Sequence, residues 1–170
     1  MFFRGNKMKK FSVLLVAILA LMMLFVSCEN EPKKRAATKE DGEIIKGLIV
    51  PAMGIAASKD PVYKETVERD GGTVTFNKTE YKDGEGKVVV VLNGTLTGKS
   101  DENTLTLSVD FKDGTQYKGK DHTLLASVVM KEPANKGDYP KVVSYEIMLD
   151  GVILTDFDFD PIFKIMFEQP

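Results

Sequence analysis

Thr104-Leu105-Thr106-Leu107-Ser108-Val109-Asp110-Phe111 alternates polar and apolar side chains without a break. Successive side chains of a strand point to opposite faces, so this period of two predicts a β-strand with its leucines, Val109 and Phe111 on one buried face. The same period runs outward in both directions. Upstream, Val88, Val90, Leu92 and Leu96 share a face with Val89 and Val91 opposite, and Val74 and Phe76 alternate with Thr73, Thr75 and Asn77. Downstream, Thr123 to Met130 is an apolar strand candidate. Val143, Tyr145, Ile147 and Leu149 then alternate up to Asp150-Gly151, and Ile153, Phe157 and Phe159 continue beyond it. Asp-Gly accepts the positive φ of a type I′ turn, so two-residue hairpins are expected at Asp113-Gly114 and Asp150-Gly151. About seven or eight short strands at this spacing predict a mainly β domain, an antiparallel β-sandwich or small barrel. No alternation of strands with helices is present, which argues against a parallel-sheet enzyme fold.

The segment before these strands has a different period. Ile44, Ile45, Leu48, Ile49, Ala52, Met53 and Ala56 recur at helical spacing, so residues 44–57 are expected to form a short N-terminal helix laid on the sheet. Pro51 within that run is expected to break or kink the helix, unless it starts a second one. Residues 29–43, ENEPKKRAATKEDGE, are charged and hold no apolar side chain larger than Ala. Such a composition buries too little surface to offset the entropy of ordering, so residues 28–43 are expected to be a flexible tether and 44–170 a single β-rich domain.

Residues 1–10 are basic and residues 11–26, FSVLLVAILALMMLFV, are apolar apart from Ser12. A run of that length spans roughly 24 Å as a helix, short of the ~30 Å hydrocarbon core of a bilayer. A basic stretch followed by such an apolar one is the pattern of a secretory signal, here residues 1–27, with either Met1 or Met8 as initiator. At its end Leu24-Phe25-Val26-Ser27-Cys28 sets a small residue directly before the only Cys of the chain. This segment resembles the lipobox of bacterial lipoproteins, over about the first 28 residues. Phe25 departs from the Leu, Val or Ile usual at its place. The resemblance implies cleavage between Ser27 and Cys28 and lipid attachment at Cys28, through a thioether-linked diacylglycerol and an amide-linked chain of the palmitate kind. Two or more acyl chains anchor stably where one does not. The protein is then expected on a bacterial membrane, the outer membrane or cell surface before the inner membrane.

Charge follows the same division. The formal net charge is −2, but residues 1–27 carry Arg4, Lys7, Lys9 and Lys10 and no acidic residue. That leaves 19 of the 23 basic residues against all 25 acidic ones from Cys28 onward, a net of −6. A domain with no basic excess is a poor partner for phosphates, so nucleic acid is excluded as a partner. One Cys and one His exclude a disulfide framework and a Cys/His zinc site.

Few residues invite chemistry. Asp156-Phe157-Asp158-Phe159-Asp160 suggests calcium, but an EF-hand loop starting at Asp156 would need Gly and Glu where Pro161 and Phe167 stand. The run is expected as the polar face of a strand. His122 beside Asp121 is expected as an exposed turn residue, and no nucleophile-elbow serine accompanies it. Gly84-Glu85-Gly86-Lys87 lacks the spacing of a phosphate loop. No catalytic, metal or cofactor site is assigned. The expected function is a lipid-anchored envelope domain that binds a protein partner without catalysis. The alternative is a lipocalin-like carrier of a small apolar ligand, with Leu124, Leu125, Val128, Phe157, Phe159 and Phe163 lining a cup. A hydrolase built on Asp158 and Glu146 is the weakest reading.

Overall fold

A computed structural model describes residues 31–131, 133 and 138–167. The chain divides into two units, Met1–Pro32 and Lys33–Pro170. Nearly all of the first lies outside the described residues, and with it the signal segment, Ser27 and Cys28. The second holds β1 (Lys33–Ala36), α1 (Lys39–Ala57), a 3₁₀ turn (Pro61–Tyr63), β2 (Val67–Asp70), β3 (Thr73–Lys82), β4 (Val88–Asp101) and β5 (Thr104–Phe111). There follow β6 (Gln116–Tyr117), β7 (Lys120–Asp121), β8 (Leu124–Lys131), β9 (Lys141–Leu149), β10 (Val152–Thr155) and α2 (Asp160–Phe167).

The domain is mainly β, as its alternation requires. Ten strands, more than the seven or eight expected, join one sheet in the order β1-β10-β9-β8-β5-β4-β3-β2, with β6 and β7 attached beside β4. All neighbours are antiparallel except β1, which pairs parallel to β10 with Lys33 opposite Val152. One face of the sheet carries the core. Register aligns Phe76, Gly94, Phe111, Leu124, Leu149 and Val152 in a row across six strands. Gly94 is what lets the row close. Its φ is 137°, and a Cβ there would stand 2.0 Å from the Asp110 carbonyl oxygen. With no side chain between them, the rings of Phe76 and Phe111 meet edge to face at 6.0 Å.

α1 covers this face with Ile45, Leu48, Ile49, Ala52 and Ile55, all buried. Each such side chain contributes roughly 1.5–3 kcal/mol through removal from water, which exceeds what helix propensity alone supplies. Contrary to the break expected there, the helix runs through Pro51 continuously. Proline has no N–H for the Gly47 carbonyl four residues back. Gly47 is also where the Tyr117 ring of β6 lies so close that a Cβ would fall 2.3 Å from it.

Three expectations are corrected. Residues 33–43, assigned to the tether, contain β1 and the first turn of α1, because two features hold them. β1 hydrogen-bonds to β10, and Thr38 with Asp41 forms a capping box. The turn at Asp113-Gly114 is present, with Thr115 N donating to the Lys112 carbonyl, but it makes no hairpin: β5 pairs with β4 and β8, and the strand after the turn pairs with β4. Asp150-Gly151 is the hairpin expected, both residues having positive φ. Lastly, the alternation of Phe157 and Phe159 does not extend β10, since Asp156 takes a φ of 55° and α2 begins at Asp160.

Candidate functional site

The single histidine is buried rather than exposed, and its partner is not Asp121. His122 Nδ1 lies 2.9 Å from Asp150 Oδ2, while Asp150 Oδ1 accepts from Thr123 N at 2.8 Å. The Asp121 carboxylate instead accepts from Gln116 Nε2 at 2.9 Å. An aspartate at the β9–β10 turn thus orients the imidazole and ties the start of β8 to that turn. The pair resembles the orienting half of a catalytic triad in geometry.

The aspartate run does not form one polar face. Asp158 Oδ1 accepts from Asp160 N at 3.0 Å, just ahead of α2, and Thr155 Oγ1 donates to Asp156 at 3.3 Å. Between them Phe157 is buried, with its N–H donating to Tyr145 Oη at 3.0 Å. Among the described residues no group of three His, Cys, Asp or Glu side chains is placed to hold a metal ion. Asp158 and Glu146, paired in the hydrolase reading, line different depressions.

The first depression, about 290 Å³, lies between the start of α1 and the start of α2, with Lys39, Glu43, Lys46, Asp156 and Asp158 over Phe157 and Ile162. Lys46 Nζ and Glu43 Oε1 are 2.8 Å apart, and this pairing holds the Glu43 carboxyl below its ordinary range. The second, about 280 Å³, is a shallow groove on the sheet face opposite α1. Two cross-strand rows make it: Thr97, Ser108, Ser127 and Glu146, and beside them Thr95, Asp110, Leu125 and Met148. Strand alternation directs these side chains outward for the same reason that it directs Val109 and Ala126 inward. Leu125 is 49% exposed. Hydroxyls, two carboxylates and an apolar rim together can donate, accept and offer nonpolar contact to a partner laid on the face.

The residues proposed as the lining of a cup are placed otherwise. Leu124 is buried under α1, and Val128 and Phe163 pack in a smaller cluster with Met130. Phe157, Phe159, Phe163 and Tyr145 form a chain of ring contacts at 4.9 to 5.9 Å, and Leu125 points away from all of them. Among the described residues no helix is long and apolar enough to cross a membrane.

Side chains that the sequence reading passed over organise the ends of α1. Arg35 donates to Asp41 through Nη1 to Oδ2 at 2.5 Å and Nη2 to Oδ1 at 2.8 Å. That guanidinium, aided by Thr38, holds the Asp41 carboxyl well below the usual carboxylate range against the opposing effect of burial. At the other end Arg69 of β2 donates to the carbonyls of Ile55 and Ser58 at 2.9 Å and of Ala56 at 3.3 Å. The signal for the first was present as Thr38-x-x-Asp41; nothing local announces the second. Comparison with protein-family models, with curated proteins and with solved structures finds no match for the chain.

Proposed function

We propose that this chain is a bacterial lipoprotein, cleaved before Cys28 and acylated there, whose β-domain binds a partner at the cell envelope without catalysis. The observation that carries the reading is one of spacing. Ser27-Cys28 closes the apolar leader, and the first strand of the domain begins at Lys33, with residues 29–32 between. A lipid on Cys28 therefore holds the folded body directly at a membrane surface. The open sheet face, with its groove between β4 and β9, supplies a surface for a macromolecular partner. The carrier reading draws less support, because α1 and the aromatic chain of Phe157 and Phe159 occupy the space a ligand would need.

Expression in a bacterium with the lipoprotein-processing pathway tests the anchor. The mature mass should carry acyl chains on Cys28, and Cys28→Ala should lose them and move the protein from the membrane to the soluble fraction. Unchanged membrane partitioning of Cys28→Ala would overturn the reading.

A further inference from the structure

We infer that the open sheet face closes on a second copy of this chain, related to it by a two-fold axis that runs parallel to the strands between β5 and β8. This deepens the reading of that face as a binding surface and rests on it. The register of β4, β5, β8 and β9 sets their outward side chains in cross-strand rows. Beyond the two rows of the groove comes Lys99, Thr106, Val129 and Ser144, and then Asp101, Thr104, Lys131 and Lys141. A two-fold axis along the strands keeps each row and reverses its order. β4 of one copy then faces β9 of the other, and β5 faces β8.

The reversal brings opposite charges together. Asp101 meets Lys141 of the second copy, with Lys131 beside it, and Glu146 lies over Thr97, one row from Lys99. In a single copy these groups are unmatched. Lys131 and Lys141 stand directly opposite each other on β8 and β9, an arrangement that costs stability. Among the described residues Lys99, Asp101, Lys131, Lys141 and Glu146 enter no ion pair, whereas Asp110 is held by Lys112 at 3.5 Å. Three basic and three acidic side chains on these rows sum to zero, so two copies approach without net repulsion. Size follows the same rule, since Met148 is set over the short Thr95 and Leu125 beside Asp110. The five strands β3, β4, β5, β8 and β9 are each eight residues or longer. They present roughly 24 by 27 Å in plan, near the ~800 Å² that one partner of a standard interface buries. Among the described residues both helices pack on the other face, which leaves this one free to stack on its copy as the two sheets of a sandwich do.

Charge exchange tests this on the full acylated protein, by sedimentation velocity in a detergent of matched density. The wild-type chain should run as a dimer. Asp101→Lys sets two basic side chains against each other and Lys141→Glu two acidic ones, so each variant alone should dimerise at least about tenfold more weakly. An equimolar mixture of the two should restore the dimer, because every contact between them again joins opposite charges. That restoration also shows both variants to be folded. A monomeric wild-type chain would overturn the inference and leave the open face to a different partner. A dimer indifferent to both substitutions, or a mixture no stronger than either variant alone, would overturn it as well. Absence of acyl mass on Cys28 would overturn the anchoring reading and leave the dimer standing.

Discussion

Arg35 and Arg69 stand on the two opposite edge strands of the sheet, and each holds one end of α1. Arg35 reaches the first turn through Asp41, which is where a negative charge favours a helix. Arg69 meets the last carbonyls, where a positive one does. The helix is therefore fixed across the sheet by its ends as well as by its apolar face.

Asp41→Asn should lower stability by about 1–2 kcal/mol at pH 7, the cost typical of a lost cap. Arg35 depresses the Asp41 carboxyl in the folded state, so the carboxylate's contribution is complete above the unfolded pKa of about 3.9 and is lost as pH falls below it. Urea unfolding at pH 7, 5 and 3 should show a difference between the two proteins that is steady down to pH 5 and shrinks at pH 3. A difference that grows on acidification would refute this linkage.

Arg69→Ala should cost about 1 kcal/mol, since three carbonyls at an exposed helix end return to water. Arg69→Lys should recover part of it, because a point charge keeps the dipole interaction but not the forked donor geometry. Hydrogen exchange should localise the loss to the last turn of α1 and to β2.

Gly94→Ala should be the most damaging small substitution in the sheet, at least about 3 kcal/mol, because the backbone is at positive φ and the new Cβ meets the Asp110 carbonyl. Gly98→Ala, on the same strand, has nothing within 4 Å of its Cβ and should change stability by less than about 0.5 kcal/mol. Comparable losses at the two sites would mean that close approach at Gly94 is not what requires glycine.

Asp150→Ala removes the acceptor of His122 Nδ1 and Thr123 N and places Ala at a φ of 51°. It should cost about 2 kcal/mol, while Asp150→Asn should cost less, because Asn tolerates that conformation and keeps an oxygen for Thr123. Thermal unfolding of the two variants side by side gives the comparison.

β5 was legible from its unbroken alternation, and β4, β8 and β9 from apolar runs or partial alternation, because each strand buries one face; the irregular pairing of β8 with β9, which leaves Val143 exposed, was not. The Asp150-Gly151 hairpin was legible because the chemistry of a tight turn is local. What escaped depended on distant residues. Lys33-Lys34-Arg35 is as polar as any linker, and it becomes a strand only because β10, more than a hundred residues later, offers it an edge. Asp113-Gly114 marks a turn correctly, but which strand β6 then joins is decided by β4. The start of α2 was a missed local signal, since Asp158-x-Asp160-Pro161 ahead of Ile162 and Phe163 is a helix beginning in its own right. Ser27 and Cys28 were read from a motif and lie outside the described residues, while the groove residues follow from the same alternation that gave the core. The His122–Asp150 contact could not be seen because the pairing of β8 with β9, Leu124 opposite Leu149, is what brings together residues 28 positions apart.

The parallel pairing of β1 with β10 has a kinetic consequence. Lys33 finds its partner in Val152, 119 positions later, so the sheet cannot be completed until almost the whole chain is available. Contacts of such long range close slowly, because loop entropy must be overcome before they form. During synthesis the β1 strand would thus wait, unpaired, until β10 has been made. The first segment to emerge would be among the last to fold.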